Sequence, residues 1–236
     1  MDFSRRSILV AGLLALTSSC ARAGNSKPPR ALNGWPDFKS RYVQADGRVV
    51  DTGNGGTSHS EGQGYAMLLA ETTGDRETFE AIHQWTEATI ARSDHALFSW
   101  RYDPRHPNPI SDPNNATDGD MLIAWALQRA HERWHVPKWS ARALEVRTAI
   151  LGNVVHERGP RLLILPGLVG FDQPGRSVVN PSYYIWPALD AFRSADGEKR
   201  WGRVIRDGEK LIADSRFGPL GLPTDWVEAA EDGSLR

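Results

Sequence analysis

Between residues 61 and 213 apolar residues recur at helical spacing in six segments, and the segments come in pairs separated by very short breaks. Residues 61–73 (Tyr65, Leu68, Leu69) and 76–91 (Phe79, Ile82, Thr86, Ile90) meet at Gly74-Asp75. Residues 118–135 and 139–157 meet across Val136-Pro137, and 182–193 and 198–213 across Ala195-Asp196-Gly197. A break that short returns the second helix along the first, so the spacing predicts three helical hairpins. Pro187 is expected to kink or shorten the fifth segment. A further helix starts at Trp35, with Phe38 and Tyr42 on one face and Pro36 in a first turn that tolerates it. Two long connections remain: 94–117, which carries Phe98-Ser99-Trp100-Arg101, and 158–181, whose Leu162 to Leu165 reads as a short strand. Connections of that length in a compact chain are often functional. Short turns at one end and long loops at the other predict an all-α toroid or solenoid with its loops gathered on one face. No sequence repeat singles out the solenoid.

The amino terminus reads differently. Ser4-Arg5-Arg6-Ser7-Ile8-Leu9 precedes an apolar run from Val10 to Leu16 and then Ala21-Arg22-Ala23, the order of an export signal cut after Ala23. The run is shorter than the ~20 apolar residues a membrane span needs. The paired arginines fit a twin-arginine signal and a plain secretory signal equally. The expected organisation is a signal at 1–23, a polar linker at 24–34 with Pro28 and Pro29, and one domain at 35–236, placed in the periplasm or outside the cell. Cys20, the one cysteine, falls within the signal, so no disulfide framework is expected. With 28 Lys+Arg against 29 Asp+Glu the net charge is -1, which offers no basic footprint for a phosphate backbone and excludes nucleic acid as the expected partner.

Three runs carry candidate chemistry. Ser60-Glu61-Gly62-Gln63-Gly64-Tyr65 places a carboxylate at a helix start, followed by glycines that let a ligand approach the backbone. Complementing the helix dipole also accounts for Glu61. Asn114-Asn115-Ala116-Thr117-Asp118-Gly119-Asp120 opens the helix that continues Met121-Leu122-Ile123-Ala124. Thr117 or Asp118 can serve as its N-cap, which leaves the second acid, Asp120, without a role. A calcium loop counted from Asp112 fails, since Thr117 stands at the required glycine and Ile123 at the closing glutamate. The third run, His131-Glu132-Arg133-Trp134-His135, matches H-E-x-x-H, which on a helix sets two imidazoles on one face for zinc. His156 and Glu157 would offer a third ligand, although the run lies at a helix end just before Pro137. Two acids at separate helix starts, with a tryptophan-bearing loop between them, fit glycoside hydrolysis better: one carboxylic acid protonates the leaving oxygen while a second carboxylate activates water or attacks. Such an acid must keep its proton near neutral pH, through burial or a neighbouring like charge.

Ser60-Glu61-Gly62-Gln63-Gly64-Tyr65-Ala66-Met67 and Ala116-Thr117-Asp118-Gly119-Asp120, with Ile123-Ala124 and Ala126-Leu127, resemble glycoside hydrolase family 8, and most of all the endoglucanases that accompany bacterial cellulose synthesis. Further matching stretches are Gly47 to Asp51, Phe98 to Arg101, Asn180 to Tyr184 and Asp225-Trp226. The resemblance implies an (α/α)6 toroid, inversion at the sugar, no cofactor or metal, and β-1,4-glucan (cellulose) as the commonest substrate. It implies Glu61 as general acid and Asp118 as the acid that holds sugar and water beside the scissile bond. Trp100 and Tyr183 match positions lining the family's cleft, and Asp120 is expected to contact substrate beside them. Association with the cellulose synthase machinery is implied as well. One departure stands out: family members continue past the Asp-Trp motif into a Tyr-Asp-Ala-x-Arg segment whose Asp is the general base, and this sequence has no such run. The expectation is therefore a truncated member with about seven of the twelve helices, exposed apolar faces and weak or absent turnover. Its alternatives are an inactive glucan-binding remnant and a zinc hydrolase built on His131 and His135.

Overall fold

A computed structural model describes residues 34–197 and 199–236. The expected export signal, 1–23, and all of the linker except Gly34 lie outside the described residues. Seven α-helices among the described residues fall close to where periodicity places them: α1 (Trp35–Tyr42), α2 (Ser60–Thr73), α3 (Arg76–Thr89), α4 (Thr117–Trp134), α5 (Pro137–Asn153), α6 (Trp186–Asp196) and α7 (Lys199–Asp214). None of the described helices is long and apolar enough to cross a membrane.

Each hairpin turn has a local cause. α2 stops at Gly74, whose φ of 79° only glycine adopts freely and whose N–H bonds back to the carbonyls of Ala70 and Glu71. α3 begins at once because the Asp75 carboxylate accepts the Thr78 N–H at 3.1 Å. The same carboxylate accepts Trp35 Nε1 and Lys39 Nζ, both at 3.0 Å, and so ties α1 to the first hairpin. Burial works against its charge, but the donors Lys39, Trp35 and Thr78 prevail and hold the carboxyl down to about 2. α4 ends at His135, which takes the left-handed conformation at φ 55°, and Pro137 starts α5 where a missing N–H does no harm.

Two boundaries differ from the periodicity. The fifth segment starts at Trp186, not 182: Pro181–Tyr183 form a single 3-10 turn capped by Asn180, and Pro187 lies in the first turn of α6. Proline there sets the start of the helix and does not bend it. The fourth segment ends at Asn153, and Val155–Arg158 (β3) pairs antiparallel with Arg161–Ile164 (β4), which bears out the short strand expected near Leu162. The other short strands lie in the connections or after α7. Ser58–His59 (β1) pairs with Arg101–Tyr102 (β2). Asp172–Gln173 (β5) and Arg176–Val179 (β6) join with Val227–Ala230 (β9) in a three-stranded sheet, and Arg216–Phe217 (β7) pairs with Leu222–Pro223 (β8). On the β7–β8 hairpin Leu220 and Leu222 are 81% and 63% exposed.

The hairpins pack in two rows. α2 lies against α3 and α4, α4 against α5 and α6, and α6 against α7. The first helix of each hairpin therefore forms an inner row and the second an outer row, an arc of an all-α toroid. The tightest place is the α2–α4 crossing, which two glycines permit. A Cβ on Gly64 would lie 2.6 Å from the Cβ of Leu122, and one on Gly119 would lie 2.1 Å from Ser60 Oγ and 2.8 Å from the Glu61 nitrogen. The Ser60 hydroxyl can rotate, but the Glu61 nitrogen and the Cβ atoms of Ser60 and Leu122 cannot move away without shifting the backbone.

These contacts predict that Gly64→Ala and Gly119→Ala each lower stability by roughly 2–3 kcal/mol in denaturant unfolding. Gly152→Ala, on an exposed turn of α5 with nothing within 4 Å of the new methyl, is expected to be neutral or to gain up to about 1 kcal/mol.

Candidate active site

The amino ends of the inner helices converge. Glu61 is the second residue of α2, Asp118 the second of α4, and Tyr183 stands three residues before α6. With Asp51, His59, Ser60, Trp100 and Ala116 they line a cleft of about 360 Å³. Both acids sit in a first helical turn, where the helix dipole favours their negative charge.

Local bonding explains why each group faces the cleft. The connection before α4 is laced to the start of α2: β1 pairs with β2, and the Ser60 N–H donates to the Trp100 carbonyl at 3.0 Å. Trp100 is held on several sides. Its N–H donates to the Asn114 carbonyl at 2.8 Å, its indole Nε1 to Asp112 Oδ2 at 2.9 Å, and its ring stacks on His59 at 5.7 Å and 22°. Asp112, which a calcium loop would use as its first ligand, instead orients this indole. Thr117 donates its N–H to the Pro166 carbonyl (2.9 Å) and its hydroxyl to the Leu165 carbonyl (2.7 Å), which fixes the start of α4. The N-cap is Ala116, without a side-chain cap; neither Thr117 nor Asp118 fills that position. Gln63 is buried, accepting the Val49 N–H at 2.6 Å and donating to Thr86 Oγ1 at 2.9 Å, so it braces α2 against the preceding loop and α3.

The acids feel one another. Burial first, then the charge of Glu61, push the Asp118 carboxyl up to about 6, against the N–H of Gly119 that it accepts at 2.8 Å. Burial and the charges of Asp118 and Glu61 push the Tyr183 phenol up to about 12, placing that ring in the field of both. His59 goes down: burial dominates, Arg101 adds to it, and Asp51 and Glu61 oppose.

Sequence reasoning brought Glu61, Asp118, Trp100 and Tyr183 to one place, and the structure sets all four along the same cleft. Asp120 needs correction. It was expected to contact substrate, but it is fully buried, accepting the Phe98 N–H at 2.9 Å and Asn115 Nδ2 at 2.7 Å. Successive α-helical residues turn by about 100°, so two residues on from Asp118 the side chain points away from the cleft. The H-E-x-x-H run needs correction too. α4 ends at Trp134, so His135 is off the helix, and His131 Nδ1 lies 3.0 Å from the Val136 carbonyl. His156 engages Asp172 at 3.2 Å and the Asn153 carbonyl at 3.1 Å. Among the described residues no cluster of three His, Cys, Asp or Glu side chains is arranged to hold a metal. His59 and Asp51 were missed. Their signal was the loop Asp51 to His59, whose two ends fold back into the cleft around its glycines.

Asp118 carries a prediction for stability. Its folded carboxyl at about 6 lies above the unfolded value of 3.8, so its proton stabilises the fold below about pH 4, and that stabilisation is lost as pH rises through 6. Relative to wild type, Asp118→Asn is expected to gain up to roughly 3 kcal/mol between pH 4 and 7 in denaturant unfolding at each pH. A flat difference would contradict the burial assigned to this group.

Comparison with known proteins points the same way. The model of the family described as Glycosyl hydrolases family 8 matches residues 1–236. An endoglucanase of Cellulomonas uda is 40% identical over 205 residues, covering 87% of this chain and 57% of its own length. A probable endoglucanase of Novacetimonas hansenii is 40% identical over 210 residues, covering 89% and 61%. This chain thus spans about three fifths of these curated relatives. Among solved structures, a family 8 endo-β-1,4-glucanase from an Achatina fulica gut metagenomic library superposes with a TM-score of 0.85 at 42% identity, over 89% of this chain and 67% of that one. An endo-β-1,4-glucanase from Acetobacter xylinum gives 0.83 at 40% identity, over 86% and 64%. An arc of the α/α toroid, two acids at adjacent inner-helix starts and these likenesses together establish that the chain belongs to glycosyl hydrolase family 8.

Proposed function

We propose that the cleft hydrolyses β-1,4-glucan internally, with inversion, in an exported protein of the periplasm or medium that serves bacterial cellulose synthesis or turnover, in association with the synthase machinery. The observation that carries this reading is the pair Glu61 and Asp118 in one cleft walled by Trp100 and Tyr183. Glu61 is the exposed member and acts as general acid, donating its proton to the glycosidic oxygen as the bond to the leaving sugar breaks. Asp118 is the less accessible acid; ionised, it holds the adjoining sugar and the attacking water. The Trp100 indole, with His59 stacked on it at 5.7 Å and the Arg101 guanidinium 5.8 Å from its ring centre, gives the cleft an aromatic wall for a sugar ring. The relatives named above support the substrate class.

A second reading is glucan binding without turnover. One assay separates the two. Reducing-sugar release from carboxymethylcellulose is expected to fall at least about 100-fold in Glu61→Gln while cello-oligosaccharide binding persists. Saturable binding with no turnover in the wild-type chain would select the second reading. Neither binding nor turnover would reject both.

A further inference from the structure

Asp120 is fully buried and Asn115 only 3% exposed, so neither side chain meets a sugar. Their hydrogen bonds nevertheless join the Trp100 loop, the start of α4 and the Leu165–Val169 segment. Asp120 Oδ1 accepts the Phe98 N–H, two residues before Trp100, at 2.9 Å, and Oδ2 accepts Asn115 Nδ2 at 2.7 Å. Asn115 Oδ1 in turn accepts the Leu168 N–H at 2.7 Å. The backbones agree with this wiring. Asn115 bridges Ser99 as an isolated antiparallel pair. Asn114 clamps Val169 through both its amide atoms, at 3.0 and 3.1 Å. A Cβ on Gly167 would come within 2.6 Å of the Asn115 carbonyl, so the second loop lies directly on the first. Beyond it Phe171 stacks flat on the half-exposed Trp226, at 6.2 Å and 2°.

We propose that Asp120 and Asn115 are a positioning pair that locks the Trp100 loop and the Leu165–Val169 segment to the start of α4 and so sets the width of cleft open to a glucan chain. The role rests on the glucan reading above and assigns a function to the acid left over in the Asp118-Gly119-Asp120 run. Three donors (Phe98 N–H, Asn115 Nδ2 and Leu168 N–H) meet three acceptors, so the row is complete. Both groups facing Asp120 are donors, which calls for its ionised form even though burial pushes its carboxyl up to about 7.

The row makes a demanding test possible. In Asp120→Asn one of the three bonds is lost whichever way the two amides flip, because Phe98, Asn115 or Leu168 then meets donor to donor. In Asn115→Asp two carboxylates meet. The exchanged pair, Asp120→Asn with Asn115→Asp, restores all three bonds: Asn at 120 accepts from Phe98 and donates to Asp at 115, which accepts from Leu168. The experiment uses the full chain and two readouts, calorimetric binding of cellohexaose and amide hydrogen exchange of Phe98 and Leu168 without sugar. Each single variant is expected to weaken binding about tenfold and speed exchange at one or both amides. The exchanged pair is expected to recover binding to within about threefold, and protection with it. A folded Asp120→Asn that binds cellohexaose as tightly as wild type would overturn the proposal and leave the pair a stabilising one only. An exchanged pair no better than the singles would overturn it as well. If the wild-type chain fails to bind cellohexaose, the glucan reading falls, while the exchange data still decide whether the pair holds the two loops.

Discussion

Everything at the site depends on how closely α2 and α4 approach. Gly64 lies against Leu122 and Ile123, and Gly119 against Ser60 and the Glu61 nitrogen, with no room for a methyl at either place. Gly119 is the residue between Asp118 and Asp120, so the contact that brings the helices together also brings Asp118 to Glu61. Glycine in a helix interior lowers intrinsic helix stability by about 1 kcal/mol. Here burial of Ala66, Met67 and Ala70 on one helix and Met121, Leu122 and Ile123 on the other offsets that loss. The chain gives up some helix propensity to bring two acids onto one cleft.

A single turn of α4 then separates two carboxylates by direction. Asp118 faces the cleft, where burial and Glu61 raise its pKa, and Asp120 faces inward, where Phe98 and Asn115 satisfy it. Chemistry and scaffolding thus come from residues two apart in sequence. The loops they address are irregular and long, yet they are fixed by bonds to helix starts: Thr117 to Leu165, Ser60 to Trp100, Asn114 to Val169. Long connections can carry a precise cleft because their polar backbone is satisfied at these few points.

Much of this was legible in the sequence, for identifiable reasons. Helical periodicity and short breaks reported the hairpins because each helix buries one face against its partner. Gly74 and Asp75 mark a turn by local chemistry alone. Glu61 and Asp118 stood out as acids beside glycines at helix starts. Other features depend on partners far along the chain. Val227–Ala230 becomes a strand because it pairs with Arg176–Val179, some fifty residues earlier, and nothing within the segment announces that. The direction of Asp120 is set by the loop that packs on it, so an acid two residues from a cleft acid was taken for another cleft acid. His59 and Asp51 were not singled out because nothing within their stretch of sequence announces that it returns on itself through the Asp51–Thr57 bridge. His131 and His135 match a zinc motif, yet Pro137 already placed the run at a helix end, and α4 indeed stops at Trp134.

The central claim is that Glu61 and Asp118 address the same glycosidic bond of a glucan laid along Trp100. A crystal structure of the Glu61→Gln chain with cellohexaose tests it most directly. The account predicts an oligosaccharide in the cleft with one glycosidic oxygen about 2.6–3.2 Å from the residue 61 side chain, Asp118 on the adjoining sugar, and a sugar ring against Trp100. A sugar bound elsewhere, or bound in the cleft with no glycosidic oxygen within reach of residue 61, would contradict it.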